Sequence, residues 1–452
     1  MKRITVALLL ALSLLALPGT SAAQPAGDIS DNVEFVANIP EMRTAIALQF
    51  IGDTMFVSTE TGLFAYSISD PSQPSLIGAL PMYIYENEDM EVDVKRNLIF
   101  IARDPRGFVP GVGNTLLQYG AIHIIDVSLP HAMVPVSSFL LPVGHTTTCV
   151  NDCDFLWTGG PAKALTQPAD WTGRPIFATD ISDPANPVQC PEPIDTGRHD
   201  GQTSYVHDVW VDQMGIAWTS GRGGVRGYWT SGRHRNPLTG KIEKATGCDP
   251  VPYAGGGTPE EVTVSSFMHN AWRDLDARAE PGAPKGSVVY ATEENISSAC
   301  PTAGKFVTYD LRGSYNGEGW RNIEKTKYRM KILDFWTPEE QPGSTGCASA
   351  HWFTDRGDGV LAFAFYGQGT RFLDVSNPRD IRQIGYYRPD DANAWAAYWY
   401  DGYVYVPDNL RGVDILKFKG GPKSPVTQAP PRATPLAALP MDPAAGYLCP
   451  LR

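Results

Sequence analysis

Half of the chain's eight histidines open segments of one pattern. They are His145 in His145-Thr146-Thr147-Thr148-Cys149-Val150 and His207 in His207-Asp208-Val209-Trp210-Val211-Asp212. The others are His269 in His269-Asn270-Ala271-Trp272-Arg273-Asp274 and His351 in His351-Trp352-Phe353-Thr354-Asp355. Three of these segments are followed by the next apolar run at one offset: Asp154, Ile216 and Val360 each lie nine residues after the histidine. An insertion after Asp274 breaks the count in the fourth. An earlier segment carries Glu88-Asp89 at the equivalent place, and two more carry Ala45-Ile46 and Ala394-Trp395, which cannot ligate. Neutral imidazole is a good ligand for zinc, copper, iron and nickel. Several such ligands on a rigid scaffold make a metal site that can keep an open position. The expected metal ligands are therefore His145, His207, His269, His351 and Glu88, and the expected cofactor is an iron, copper or zinc ion. A single histidine at a strand start is more often a structural residue bonded to a nearby carbonyl. Here one repeat position holds half of them, while two sectors build the same strand without one, and that favours a shared site. His123, His131, His199 and His234 fall outside the pattern and read as surface or loop residues.

These side chains need elements that bring them together, and a repeat supplies them. Tyr66-Ser67-Ile68-Ser69-Asp70-Pro71, Ile125-Asp126-Val127-Ser128-Leu129-Pro130, Thr179-Asp180-Ile181-Ser182-Asp183-Pro184 and Leu373-Asp374-Val375-Ser376-Asn377-Pro378 are copies of one phrase. Tyr309-Asp310-Leu311 and Val413-Asp414-Ile415-Leu416 are reduced copies. Each reads as a β-strand, and the full copies end in a Ser-x-Pro turn. Seven short apolar strands precede them, at Met55-Phe56-Val57, Leu98 to Ile101, Phe155 to Trp157, Ile216 to Trp218, Val288 to Tyr290, Val360 to Phe363 and Tyr403 to Tyr405. Another strand stands before each. The sequence thus predicts an all-β fold, a seven-bladed β-propeller of four-stranded antiparallel blades. Val33 to Ile39 reads as an outermost strand without its own blade, and the repeats stop at Asp414 to Phe418, a third strand without a fourth. The N-terminal strand is expected to complete the last blade and close the ring.

In a propeller the innermost strands ring the channel, so the four imidazoles and Glu88 are expected to converge at one mouth. The loop after each second strand reaches that mouth. Those loops carry Glu60, Asp104, Arg222, Glu293, Glu294 and Asp408, and the strands after them carry Arg371 and Arg411. Glu293, Glu294, Arg371 and Arg411 are the candidate catalytic groups, as general acid or base or as substrate contacts. Trp210, Trp272, Trp352, Trp395 and Trp399 read as packing between blades. Asp126, Asp180, Asp310, Asp374 and Asp414 read as turn residues. Gly221-Arg222-Gly223-Gly224 opens no helix, so it is not a phosphate loop. Asn295-Ile296-Ser297 matches a glycosylation sequon and carries little weight.

The Asp-Val-Ser-x-Pro-x-x-Pro phrase, with its Tyr-Val-type strands, resembles the LVIVD-repeat family of secreted bacterial propellers. The resemblance spans about Val33 to Phe418 and implies fold, not activity. It departs from the pattern where Gly224-Val225-Arg226-Gly227-Tyr228-Trp229 replaces the phrase. A four-histidine metal on a seven-bladed propeller also looks like the carotenoid oxygenases, which hold iron, and the copper-dependent, selenium-binding-type methanethiol oxidases. Neither shares this phrase, so both are likenesses of architecture only.

The rest of the sequence bounds the setting. Lys2 and Arg3, the apolar run Ile4 to Leu17 and Ser21-Ala22-Ala23 read as a signal peptide over residues 1–23, too short to span a bilayer. Residues 24–32 read as a linker, 33–418 as the propeller with a long insertion at about 230–264, and 419–452 as a Pro-rich, extended tail. Seven cysteines fit an oxidising, exterior compartment. Cys149–Cys153 is a plausible local disulfide, Cys300–Cys347 a second and Cys190–Cys248 a weaker third, with Cys449 left over; sequence alone does not fix the pairing. A net charge of -12 argues against nucleic acid or an anionic membrane as the main partner. Two functions remain open. One is a secreted metal-dependent oxidoreductase or hydrolase acting on a small-molecule substrate. The other is a non-catalytic scaffold binding an extracellular protein or glycan.

Overall fold

The computed structural model describes residues 25–430, apart from 83, 85–86, 105–107, 110–112, 115–118, 161–175, 195–205, 222–223, 238, 258–267, 295–303, 313–329 and 339–348. The signal segment, Arg222, Asn295 to Ser297, Cys300, Cys347, Cys449 and most of the Pro-rich tail lie outside them. Seven antiparallel sheets of at least four strands follow one another along the chain. Blade 1 runs, from the inside out, Ala47–Ile51, Thr54–Thr59, Gly62–Ser67 and Ser75–Pro81. Blade 2 is Met90–Asp93, Leu98–Arg103, Gly120–Asp126 and Val134–Leu141. Blade 3 is Thr146–Val150, Phe155–Gly159, Phe177–Asp180 and Val188–Gln189. Blade 4 is Val206–Val211, Ile216–Gly221, Val225–Trp229 and Val251–Gly257. Blade 5 is Met268–Asp274, Val288–Glu293, Phe306–Asp310 and Lys331–Trp336. Blade 6 is Phe353–Asp355, Val360–Ala364, Thr370–Asp374 and Arg382–Pro389. Blade 7 is Tyr398–Tyr400, Tyr403–Asp408 and Gly412–Phe418, completed by Val33–Ile39 from the start of the chain. This is the seven-bladed propeller that the repeat predicts.

A blade cannot bury both faces alone, so each apolar cluster is shared between neighbours. Phe100, Ile122 and Ile124 of blade 2 pack on Leu156 and Ile181 of blade 3. Val360 and Phe372 of blade 6 meet Val404, Leu416 and Phe418 of blade 7. The repeated aspartates make the turns between third and fourth strands. Asp126, Asp180 and Asp374 each accept the N–H two residues on, at 2.8, 2.9 and 3.0 Å. Asp414 instead takes the Arg411 guanidinium and Asn38.

Closure pairs Val33 with Phe418 and Ile39 with Val413. Gly412 sits at φ 94° at that junction, where a Cβ would lie 2.0 Å from the Ile39 carbonyl oxygen. Only glycine permits both the backbone angle and the approach.

Three segments differ from the sequence expectation. Gly27–Ile29, within the stretch expected to be a linker, is a strand that adds to the outer edge of Arg382–Pro389. The insertion after Thr230 is not wholly outside the blade. It forms a hairpin, Arg233–Arg235 with Ile242–Lys244, and then supplies the fourth strand Val251–Gly257. The blade needed an outer strand, and the missing phrase hid where it came from. The tail, expected to stand free, packs on blade 6 as far as it is described. Thr427 exchanges hydrogen bonds with Gln383, and Ala429 is buried. Disulfides join Cys149 to Cys153 and Cys190 to Cys248. No helix among the described residues is long and apolar enough to cross a membrane.

Candidate metal centre

The inner strand of each blade begins at one level of the channel, and the residues there are those the spacing singles out. His145 immediately precedes Thr146–Val150, and His207 and His269 are the second residues of their strands. His351 lies two residues before Phe353–Asp355, and Glu88 two before Met90–Asp93. All five side chains are buried. Blade-to-blade hydrogen bonds hold them in line: Thr146 Oγ1 donates to the His207 carbonyl, and Ser220 Oγ to the His269 carbonyl at 3.0 Å. Gly160 lies directly against His145 at φ 117°, where a Cβ would sit 2.3 Å from the His145 Cβ.

Glu88 stands where the four rings meet. Its Oε2 is 2.9 Å from His269 Nε2 and 3.1 Å from His207 Nε2. Its Oε1 is 3.5 Å from His145 Nε2 and 3.6 Å from His351 Nε2. Three rings are oriented from behind. His145 Nδ1 donates to Asp104 at 3.0 Å, His207 Nδ1 to the His269 carbonyl at 3.0 Å, and His351 Nδ1 to the Trp395 carbonyl. A proton on Nδ1 leaves the lone pair on Nε2, toward the centre. Burial works to raise the Glu88 carboxyl, and the four imidazoles outweigh it, holding it well below the usual range. Burial pushes His207 down to about 4, against the pull of Glu88, and holds His269 well below the usual imidazole range. Both rings are neutral at pH 7. His351 is raised: burial opposes its charge, but Glu88 and Glu294 favour it more.

Of the candidate catalytic groups, Glu294 joins this cluster. It lies with His269 and His351 in one set of metal-competent atoms, and its Oε1 accepts the Tyr366 hydroxyl at 2.6 Å. Burial is the main cause that pushes its carboxyl up to about 8. Glu293 is buried at the end of its strand, in register with Met268. Arg371 donates to Gln383 Oε1 at 2.9 Å and to the Gln368 carbonyl at 3.0 Å, within blade 6. Arg411 pairs with Asp414 at 2.9 Å and Asp391 at 2.6 Å, beside the ring closure. These described partners of the two arginines belong to blades 6 and 7 and the loop between them.

Tyr366 was not singled out by sequence. It follows the second strand of blade 6, as Asp104 and Glu294 follow theirs, and that position was the available signal. Its backbone is held at φ 40°, a conformation side chains rarely adopt, by paired hydrogen bonds with Ala394. A further acidic layer lies beyond Glu88. Asp89 accepts Thr148 Oγ1 at 3.1 Å, and burial pushes its carboxyl up to about 7. Burial and then Asp89 push the carboxyls of Asp208 and Glu91 well above the usual range.

The buried atoms fit a cation. Glu88 Oε1, His269 Nδ1 and His351 Nε2 are buried with no hydrogen-bond partner among the described residues. His145 Nε2 and His207 Nε2 face each other at 2.9 Å, and the Nδ1 of each ring lies against an oxygen, which favours the tautomer protonated there. Two lone pairs at that distance repel unless a cation or an extra proton lies between them. An imidazole and carboxylate donor set suits zinc, copper and iron. No family model matches the chain, and no curated protein matches it.

Proposed function

We propose that this is an exported propeller whose channel mouth holds an iron, copper or zinc ion and acts there on a small molecule. One observation carries the proposal: a single buried carboxylate, Glu88, lies within 3.6 Å of an imidazole Nε2 from each of four successive blades. Such convergence has no packing value of its own, because buried polar atoms left unpaired cost stability. In this function His207, His269, His145 and His351 hold the ion with Glu88. Asp104 and the carbonyls of His269 and Trp395 fix the rings. The bound ion supplies a Lewis acid, or with iron or copper a centre for oxygen activation. Glu294, with its carboxyl near 8 and the Tyr366 hydroxyl against it, moves a proton at the side of the site next to His351. Export rests on the basic-apolar-small start of the chain and on the two disulfides. The repeated Asp-Val-Ser-x-Pro phrase supports membership of the LVIVD type.

Metal analysis of the full chain, purified without a polyhistidine tag, tests this. We expect bound iron, copper or zinc, and Asp104→Asn should weaken its affinity roughly 10–100-fold by releasing the His145 ring. Protein that arrives without these metals and takes up none on addition overturns the proposal. A binding scaffold is the second function, favoured by the apolar outer strands of blades 1 and 2, where Leu76, Val134 and Leu140 are exposed. Replacing all four histidines by alanine would then leave partner binding intact.

A further inference from the structure

The spacing of the donor atoms bears on the shape of the centre. At bond lengths near 2.1 Å, two donors set at about 90° round one ion stand about 3.0 Å apart, and two at the tetrahedral angle about 3.4 Å. His145 Nε2 is 2.9 Å from His207 Nε2. Glu88 Oε2 is 3.1 Å from His207 Nε2 and 2.9 Å from His269 Nε2. All three spacings match the right angle. The contact with His269 is also what an ordinary hydrogen bond from its Nε2 would give, so the weight rests on the other two. There His207 Nδ1 lies against the His269 carbonyl oxygen and His145 Nδ1 against the Asp104 carboxylate, and both oxygens accept. With the rings neutral, His145 Nε2, His207 Nε2 and Glu88 Oε2 are acceptors at hydrogen-bond distance with no proton to share.

A second observation is the number of donors. A tetrahedral zinc site takes four. Here five successive blades each send one residue to the same place: Glu88 from blade 2 and an imidazole from each of blades 3 to 6. Every one of the four Nε2 atoms lies within 3.6 Å of the Glu88 carboxylate. Blades 7 and 1 add no ligand. Their Trp395 and Ile46 are buried together with Tyr366 in a small apolar cluster.

Resting on the metal-binding function above, we infer that this is a single-ion centre with five protein donors set at right angles. Four are imidazoles and the fifth is the Glu88 carboxylate, which leaves the sixth position of an octahedron for water or substrate. The set suits iron, or copper in its tetragonal divalent form, better than zinc, whose protein sites are mostly tetrahedral. The five donors therefore narrow the choice of metal to one of the two that change oxidation state.

Cobalt serves as the probe, because its visible bands are intense when it is four-coordinate and weak when it is six-coordinate. An imidazole and carboxylate site that holds iron, copper or zinc also holds cobalt. The full, untagged chain is stripped with a chelator and titrated with Co2+ under nitrogen, with cobalt per chain counted by mass spectrometry. We expect visible bands several-fold weaker than those of four-coordinate cobalt. Glu88→Ala, checked for native circular dichroism, removes one donor and should strengthen the bands. Intense four-coordinate bands in the wild type overturn the five-donor centre and leave the metal-binding function standing. A chain that takes up no cobalt overturns both. Bands unchanged in Glu88→Ala take the carboxylate out of the donor set, and the count of five falls with it. The wild-type spectrum decides the question where the variant fails to fold.

Discussion

His207 lies wholly inside the protein, and burial pushes its imidazole down to about 4 from an ordinary 6.5. The sign of the consequence follows from linkage. Between pH 6.5 and 4 the unfolded chain binds a proton at this residue and the folded chain does not. The contribution is intact above the unfolded value and is lost as pH falls through that window, up to about 3 kcal/mol at about 1.4 kcal/mol per unit. Urea unfolding of metal-free protein across this range should therefore show a steeper acid loss in the wild type than in His207→Gln. Equal slopes would show that His207 is not desolvated. Glu294 acts in the opposite direction, since its raised carboxyl costs stability as pH climbs from 4.5 toward 8. At this scale the sequence was informative about the ring of imidazoles around Glu88 and less so about what orients them. His145, His207, His269, His351 and Glu88 share a repeat position, and a repeat turns position in sequence into position in space. The His269 and Trp395 carbonyls that fix two of the rings are backbone atoms, which no side-chain pattern marks. Arg371 and Arg411 were placed by their position along the chain, which does not say where a long side chain turns. Both turn to carboxylates or amides of blades 6 and 7.

Two disulfides of very different span brace blade 3. Cys149–Cys153 closes a turn through Asn151 and Asp152, with a sequence separation of 4. Cys190–Cys248 has a separation of 58 and ties the outer edge of blade 3 to the insertion of blade 4. The insertion also presents the Gly247 carbonyl to Trp157 Nε1 at 2.8 Å. Chain-entropy arguments give about 2 kcal/mol for the short loop and about 4 for the long one. Removing Cys190 and Cys248 together should then lower the urea midpoint about twice as far as removing Cys149 and Cys153. The reverse order would mean that the insertion is held by other contacts. The short pair was readable from its spacing around a turn. The long pair was only a weaker third candidate, because it depends on the insertion folding back over blade 3, and the residues that do this lack the repeat phrase.

The whole ring depends on one non-local pairing, Val33–Ile39 against Gly412–Phe418. Gly412→Ala sets a methyl against the Ile39 carbonyl oxygen and forces a left-handed angle on alanine. The expected cost is roughly 1–3 kcal/mol, read as a fall in thermal midpoint with early proteolysis near Ile39. An unchanged midpoint would show that the last blade is not strained by closure. Closure itself was legible, because one strand was missing at the end and one was spare at the start. The extra strand Gly27–Ile29 and the docking of Thr427 on Gln383 were not, since short extended segments without a repeat phrase carry no signal of where they pair.

That pairing also sets an order of events in biogenesis. The partner of Val33–Ile39 is among the last parts of the propeller to be synthesised, so the sheet that seals the circle forms only once residue 418 has emerged. Until then Val33 to Ile39 waits with its hydrogen-bonding edge bare, a condition in which extended segments aggregate. A chain threaded outward through an export pore would meet this delay on the far side of the membrane, so its yield should depend on whatever holds that closing strand soluble there.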